Sequence, residues 1–437
     1  MTVSTRRIIQ LVIPMTGEQF LIFGVSLFDT AVAGSLGVEQ ISAQVIVVRW
    51  VQFTSVIYNI MSIGASILVA QAVGERNLDQ ADDILIGALT LAAISGIVLT
   101  VLALLIAPLL VSMMGVDPAV AHLSLPYLRL ITLSFPFNFM LLSAAGSIRG
   151  AGDARTPLLV MIVANLCHVV TALTLVFGLE LGLLGIALAT VISRLSGLLL
   201  FLIVLIRGRG VLHLRRFRLR LAVMQQIWTL GSAVGGEQLA LRLSQLVNLR
   251  LVTALGTELI AAYAVVSNSL SIILTIGLGF MSAAITMVGQ LVGADAWDSV
   301  YGAGWRILRL GWLGMGGIGL IFFLWPQING LFSANAGVLA VAALGLRLIV
   351  LAIPFETVNQ VLTGVLRGSG DTRYPMLVST FGQWVIRLPL MVLLINVIGL
   401  NGVWVAMIIE MAARSLLNLR RFTSRFVPES PAEMQAV

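Results

Sequence analysis

Five acidic side chains lie within long apolar stretches of this chain, where charged groups are least expected. They are Glu18, Asp29, Glu237, Glu356 and Glu410. A charged side chain at the centre of a membrane-spanning helix costs roughly 2.5–3.5 kcal/mol on insertion scales, so each acid needs a reason to be there. A carboxylate that binds and releases a proton or a sodium ion switches its charge off and on. That property suits a group that couples an ion gradient to other work.

The sequence lacks the residue clusters that metal-dependent hydrolysis or nucleotide binding would require. His122, His168 and His213 fall in three different segments, whereas a metal-dependent hydrolase needs two histidines at helical spacing. The glycine-rich segments that begin at Arg149 and Arg367 lack the Gly-Lys-Ser or Gly-Lys-Thr ending of a phosphate-binding loop. We therefore expect no enzyme activity, no cofactor and no catalytic metal. The energy source is then an ion gradient.

The composition indicates the environment of these residues. Of 437 residues, 59% are hydrophobic and 10% are charged, and the mean hydropathy is +1.04. Soluble domains have about 25% charged residues, so this chain is expected to be surrounded largely by lipid. All 26 basic residues are arginines, and most lie in short segments between apolar stretches. This distribution is typical of contacts with lipid headgroups and argues against a nucleic-acid partner.

Twelve apolar stretches are long enough to cross a membrane as helices, since about 20 residues are needed. We therefore expect an all-α polytopic membrane protein. The expected helices cover residues 8–35, 44–73, 84–107, 120–147, 155–177, 182–206, 222–255, 260–291, 303–324, 337–366, 374–397 and 400–419.

The distribution of arginines predicts the orientation of these helices. Loops on the side of the N-terminus are rich in arginine, most of all the segment 207–221. The opposite loops hold acids such as Asp117 and Glu180, and almost no arginine apart from Arg129 near a helix start. Arginine-rich loops stay in the cytoplasm, so both termini are expected there, in the cell inner membrane. Segment 207–221 is expected to bind lipid headgroups, with a regulatory lipid or partner site as the alternative.

The two halves of the chain repeat the same motifs in the same order. Gly17-Glu18-Gln19 recurs as Gly236-Glu237-Gln238, and the segment that begins at Arg149 recurs from Arg367. Each copy follows its first occurrence by 218 or 219 residues. Six helices return the chain to its starting side, so the halves should be related by a pseudo-two-fold axis along the membrane normal. The expected domains are an N-terminal six-helix lobe at 1–206, a basic linker at 207–221, a C-terminal six-helix lobe at 222–425 and a tail at 426–437.

The repeated loop motif Arg-Gly-x-Gly-Asp-x-Arg-x-Pro resembles that of the multidrug and toxic compound extrusion (MATE) family. Asp29-Thr30-Ala-Val-Ala-Gly34 and Gln71-x-x-Gly74 carry the same resemblance, which runs essentially from end to end. It implies a secondary active transporter that exports amphipathic, often cationic compounds in exchange for protons or sodium by alternating access. Small organic substrates and membrane lipids would be its partners, and we expect a monomer.

Asp29 is the strongest candidate for ion coupling, because the resemblance implies a functional acid at this place in the first helix. Its counterpart in the second half is Asn248, which has the same shape without a titratable charge. Asn165 is expected to support it. The acid that the family often has four residues later is Val169 here, which weakens a sodium site because a hard cation loses an oxygen ligand. The alternative is a structural pair between Asp29 and an arginine such as Arg49.

Glu356 is the second candidate, because the resemblance implies an acid near this spacing in the cation site of the second lobe. Its counterpart in the first half is Asn138, which like Asn248 is expected to support a cation or substrate site. A sodium ion could bind at Asp29 or at Glu356, and the sequence leaves the choice between protons and sodium open. The alternative for Glu356 is a stabilising pair with Arg387. That arginine could instead face the transport path and shift the substrate range away from simple cations.

Four further titratable side chains can be interpreted as structural. Glu18 and Glu237 occupy equivalent places in the two halves, so they either act as coupling acids or hold the helices of each lobe together. His168 titrates in a suitable range, but a single histidine in an apolar stretch is more often a hydrogen-bonded core residue. Glu410 precedes Arg414 by four residues, which favours a structural ion pair along one helix.

A rival within transport is a flippase for a lipid-linked precursor, from the same wider superfamily. Such proteins tend to have cationic cavities and additional helices. Twelve helices with paired acids favour the exporter.

Overall fold

The computed structural model describes residues 4–113, 115, 117–208, 210–214, 219–333 and 335–427, and all regular structure within them is helical. In the first half, the helices are separated by short turns, and a π-helical turn at Thr174–Gly178 extends the sixth. The helices of this half are α1 (Thr5–Leu36), α2 (Val38–Gly74), α3 (Leu78–Ser112), α4 (Pro118–Thr132), α5 (Phe135–Gly150), α6 (Arg155–Leu173) and α7 (Leu183–Arg207).

The second half repeats this order of elements. A 3₁₀ turn at Pro326–Leu331 follows its third helix, and a π-helical segment at Gly382–Arg387 joins α13 to α14. The helices of this half are α8 (Leu221–Thr253), α9 (Thr257–Gly293), α10 (Asp298–Leu324), α11 (Ala336–Val350), α12 (Ile353–Gly368), α13 (Arg373–Phe381), α14 (Leu388–Ile398) and α15 (Leu400–Phe426).

The twelve-helix, two-bundle prediction is confirmed, although two of the twelve spans are bent pairs of helices. By length and hydropathy alone, the described part of the chain has nine helices suited to a membrane, or up to eleven when each bent pair counts as one span. The twelfth is α8, whose 33 residues include Glu237, Arg242 and Arg250 and are therefore less hydrophobic.

Prolines explain the two bent spans. The chain bends by 48° between α4 and α5 and by 52° between α11 and α12. Pro136 and Pro354 lie in the first turn of the helix that follows each bend. Proline has no N–H to donate and its ring collides with the preceding turn, so it is favoured in the first turn of a helix and disfavoured further in. The repeated Pro-Phe motif therefore marks a repeated break.

The glycine-rich loops are tight turns that cap the following helices. Asp153 Oδ1 accepts hydrogen bonds from the backbone N–H groups of Arg155 and Thr156, each at 3.0 Å. Asp371 Oδ1 accepts the N–H of Tyr374 at 3.3 Å. Gly152 and Gly370 have φ values of 92° and 88°, a backbone conformation that favours glycine. The repeated motif thus encodes a turn and a helix N-cap.

Packing divides the chain into two compact units, Gly17–Gly235, and Met1–Thr16 together with Gly236–Val437. Each unit has its own buried apolar core. The predicted lobe boundaries at 206 and 222 stay a prediction. Within the predicted linker, His213 N donates to Asp82 Oδ1 at 2.7 Å and Arg220 pairs with Asp83 at 3.1 Å. Residues 209 and 215–218 of the linker, and 428–437 of the tail, lie outside the described residues.

Candidate functional site

The first-half candidate Asp29 lies against a histidine. His168 Nε2 of α6 is 2.6 Å from Asp29 Oδ1 of α1. The histidine side chain is 3% exposed and the aspartate side chain 17%. His168 is thus a hydrogen-bonded core residue, as its sequence context indicates, and its partner is the strongest coupling candidate. Arg49, the alternative partner for Asp29, is exposed, and no ion pair in the described part of the chain joins the two.

Charged and aromatic side chains lie near this pair. The ring of Phe28 meets the ring of His168 edge to face, with centroids 6.2 Å apart. Arg194 of α7 interacts electrostatically with Asp29, as does Tyr127 of α4. The acid therefore has a histidine in contact and an arginine near it.

Asn165, the amide predicted to support Asp29, forms a different hydrogen bond. Asn165 Nδ2 donates to the backbone carbonyl of Leu21 at 3.3 Å, two helical turns before Asp29. This bond joins α6 to α1. Asn138 is half-buried on α5. The side chain that contacts Asp29 is His168. Its position three residues after Asn165 could have indicated this, because residues three apart share a helix face.

In the second half, Glu356 and Glu410 share one arginine. Arg414 Nε is 2.5 Å from Glu410 Oε1, and Arg414 Nη2 is 3.3 Å from Glu356 Oε2. Glu356 also accepts hydrogen bonds from Asn359 at 3.2 Å and Gln360 at 3.0 Å. The predicted i, i+4 pair of Glu410 with Arg414 is confirmed. The cluster contains two carboxylates and one guanidinium, and all three are buried or nearly so.

Arg387 does not pair with Glu356 in this structure. Its Nη1 donates to Gln383 Oε1 at 3.4 Å. The same oxygen accepts the hydroxyl of Ser244 at 3.0 Å, and Gln383 Nε2 donates to Glu410 Oε1 at 3.2 Å. A glutamine therefore separates Arg387 from the acidic cluster.

The equivalent acids Glu18 and Glu237 each form a buried ion pair with the arginine that begins the repeated loop motif. Arg149 Nη1 is 2.5 Å from Glu18 Oε1, and Arg367 Nη2 is 2.5 Å from Glu237 Oε2. Removing one partner of a buried pair costs about 3–5 kcal/mol. This geometry suits the interpretation that both acids hold the helices of their half together. A coupling role for them stays a prediction.

Known proteins resemble this chain along both halves. A family model described as MatE matches residues 14–174 and 233–393. The Probable multidrug resistance protein NorM of Thermotoga maritima is 26% identical over 438 residues, which cover 96% of this chain and 92% of that protein. The protein of the same name from Mesorhizobium japonicum is 30% identical over 336 residues, covering 71% of this chain and 70% of that protein.

Solved structures share the fold at lower identity. An outward-facing multidrug resistance MATE transporter of the MOP superfamily has a TM-score of 0.91 and 19% identity, covering 98% of this chain and 96% of that chain. A MOP superfamily transporter from Pyrococcus furiosus, described with a binding pocket of reverse polarity that suggests a different function, has a TM-score of 0.90 and 19% identity, over 96% of this chain and 95% of that one. The family model matches most of both halves of this multi-pass membrane protein, and the chain therefore belongs to the MatE family, the multidrug and toxic compound extrusion transporters.

Proposed function

We propose that this protein is a multidrug exporter of the bacterial inner membrane that exchanges amphipathic, often cationic compounds for protons by alternating access. Its multidrug resistance relatives support export of small organic molecules over lipid-precursor flipping. The contact of 2.6 Å between Asp29 and His168 is the observation that carries the choice of proton. Both termini are cytoplasmic in this proposal, and the protein acts as a monomer.

The pair of Asp29 and His168 can hold one proton without a net charge. With that proton at Nε2, the imidazolium and the carboxylate neutralise each other. When the proton leaves to the cytoplasm, the carboxylate charge is no longer balanced within the pair. A cationic substrate is then attracted to the same region, and a proton arriving from outside displaces it by restoring neutrality. Competition of this kind is what exchange requires.

The groups facing the pair support its cycling. Arg194 on α7 keeps a permanent positive charge near Asp29, and Tyr58 on α2 interacts with Arg194. Tyr127 on α4 faces Asp29 from a further helix. The arginine stabilises the deprotonated form of the buried pair, because its positive charge partly offsets the negative charge of the Asp29 carboxylate.

Sodium is disfavoured at this site by the same geometry. Sodium is a hard cation and takes oxygen ligands. Nε2 of His168 already contacts Oδ1 of the Asp29 carboxylate. Val169 provides no oxygen ligand at the position where the family often has an acid. Asn165 directs its amide to the backbone of α1.

Transport into proteoliposomes tests this proposal. Purified protein is reconstituted with ethidium as a fluorescent cationic substrate, and a pH gradient or a sodium gradient is imposed separately. We expect ethidium transport with the pH gradient alone. The variants D29N and H168Q should reduce it to the level of empty vesicles, whereas H122Q, a change to an exposed histidine of the same half, should leave it unchanged.

Two results would contradict the proposal in different ways. Transport driven by sodium alone would reject the choice of ion and keep the exporter. Undiminished pH-driven transport by H168Q would remove the histidine from the coupling mechanism.

A further inference from the structure

The contacts around Asp29 and His168 recur at equivalent places in the second half. Asn165 Nδ2 donates to Leu21 O in the first half, and Trp384 Nε1 donates to Ala240 O at 3.2 Å in the second. In both cases the partners are 144 residues apart. Each member of the second contact follows its counterpart by 219 residues. The contact between α1 and α6 is thus repeated between α8 and the π-helical segment after α13.

The same register identifies the counterparts of the proton pair. Asp29 corresponds to Asn248, and His168 corresponds to Arg387, again 139 residues apart. The offset is 218 residues at the loop motif and 219 here. A π-helical turn contains one residue more than an α-helical turn, so the segment Gly382–Arg387 accounts for the change. The second half therefore has an amide and a permanent cation where the first half has an acid and a histidine.

The side chains of this second pair have unused hydrogen-bonding capacity. Asn248 is 1% exposed, and neither its amide nitrogen nor its amide oxygen has a partner in the described part of the chain. Arg387 Nε is buried and also without a partner there. A buried polar group without a hydrogen bond costs about 1–3 kcal/mol. The unpartnered N–H groups of Asn248 and Arg387 can donate to a ligand that supplies acceptors, whereas Asn248 Oδ1 can accept from a donor.

No acid balances the charge of Arg387 among the described residues. The long contact of 3.4 Å with Gln383 is its one hydrogen bond in that part of the chain. Gln383 bonds onward to Glu410, but that carboxylate is already paired with Arg414 at 2.5 Å. An unpaired guanidinium within a membrane-spanning helix attracts an anion from the transported molecule.

We propose that Asn248 and Arg387 form an anion-accepting subsite that binds the carboxylate group of amphipathic substrates. Arginine presents two parallel N–H groups that match the two oxygens of a carboxylate. The amide of Asn248 adds a further donor. The bond between Ser244 and Gln383, one turn earlier on each of these two elements, fixes α8 against the π-helical segment. This proposal rests on the proposed exchange function. The first half exchanges the proton, and the second half selects substrates that carry a carboxylate.

A matched pair of dyes tests the subsite. Rhodamine B carries a free carboxylate, and its ethyl ester has the same chromophore without that charge. Binding of each dye to the purified full-length protein in detergent is measured by fluorescence anisotropy, and transport of each dye is measured in proteoliposomes. Wild-type protein should bind both dyes.

We expect R387M to weaken rhodamine B binding by about tenfold or more, since a charge-assisted hydrogen bond contributes about 1.5–3 kcal/mol. Binding of the ester should change less than about twofold, within roughly 0.4 kcal/mol. N248D should produce the same selective loss, because an aspartate there would pair with Arg387 and repel a carboxylate. R387K should recover part of the affinity. R242M, a change to a half-buried arginine of the same half whose Nε is also unpartnered, is the matched control and should not distinguish the dyes.

The results separate this subsite from the proposed exchange function. Selective loss of rhodamine B binding supports the subsite, even when no gradient drives transport of either dye and the exchange proposal fails. Equal losses of both dyes in R387M and N248D would overturn the subsite. Absence of rhodamine B binding to wild-type protein that still binds the ester would overturn it as well.

Discussion

At the scale of single residues, each half of this protein contains charged side chains whose surroundings decide what they can do. Glu18 and Glu237 are held at 2.5 Å by arginines of the loop motif, whereas Asp29 meets a histidine. An arginine stays charged at all physiological pH values, so a carboxylate paired with it stays ionised. A histidine can give up its proton. The acids of this chain therefore differ in their partners, which are arginines for Glu18 and Glu237 and a histidine for Asp29.

The cluster of Glu356, Glu410 and Arg414 leads to a prediction about stability. E356Q leaves one acid and one guanidinium in a buried pair, so it should lower the free energy of unfolding only slightly. R414Q leaves two buried carboxylates without a cation and should lower it by about 3–5 kcal/mol. Thermal unfolding of the purified variants in detergent measures the difference.

The control for this comparison is R250Q, because Arg250 is exposed on α8 and forms no ion pair in the described part of the chain. Its melting temperature should match that of the wild type. An R414Q variant as stable as E356Q would show that the two carboxylates do not depend on the shared guanidinium.

At the scale of elements, glycines let neighbouring helices approach closely in both halves. A Cβ added at Gly364 of α12 would lie 2.5 Å from the carbonyl oxygen of Met281 on α9. At the equivalent Gly146 of α5, a Cβ would collide with the carbonyl of Ser62 on α2. Backbone atoms cannot rotate away as a side chain can. These two contacts hold the helix with the repeated loop motif against its neighbour.

We predict that G146A destabilises the protein by about 1–3 kcal/mol, because overpacking forces the backbones of α2 and α5 apart. G24A provides a matched control on α1, since its added Cβ meets nothing within 4 Å. Alanine is the better helix former by roughly 1 kcal/mol, so G24A should be neutral or stabilising. Melting temperatures in detergent distinguish the two. Equal melting temperatures for G146A and G24A would contradict close packing at this contact.

At the scale of the whole molecule, duplication preserves the framework while the chemistry diverges. The bent spans, the glycine contacts, the capped loops and the buried ion pairs recur in both halves. The pair of Asp29 and His168 does not recur, because its counterparts in the sequence are Asn248 and Arg387. A duplicated bundle can therefore carry two different sites in the same structural position.

Orientation is a prediction at this same scale. With twelve spans and arginine-rich loops on one side, both termini are expected in the cytoplasm. A green fluorescent protein fused after Val437 should fluoresce, and alkaline phosphatase fused there should be inactive, since that enzyme requires the periplasm. Phosphatase fused after Ser112, behind three spans, is the control and should be active. The reverse pattern of activities would place the termini outside.

The sequence by itself determined the number of membrane spans, their approximate limits and the internal repeat of the two halves. Each expected span, such as 8–35 or 182–206, overlaps one helix or one bent pair. Hydropathy and helix length are local properties, so they can be recognised along the chain without knowing what packs where. The loop capped by Asp153 was equally predictable, because donor and acceptor are two or three residues apart. The candidate acids were recognisable for the same reason, because a charged residue within an apolar stretch can be identified from the sequence alone.

Only the tertiary structure decided which partner each of those charges has. His168 is 139 residues from Asp29 and Arg149 is 131 from Glu18, and Glu356 pairs with Arg414 where Arg387 was an equally reasonable choice by sequence. Pairing between residues so far apart in sequence depends on the rotation of each helix about its axis and on the register between neighbouring helices. One extra residue in a π-helical turn can alter both. Hydrophobic pattern constrains that rotation weakly in a membrane, because lipid-facing and buried surfaces are both apolar.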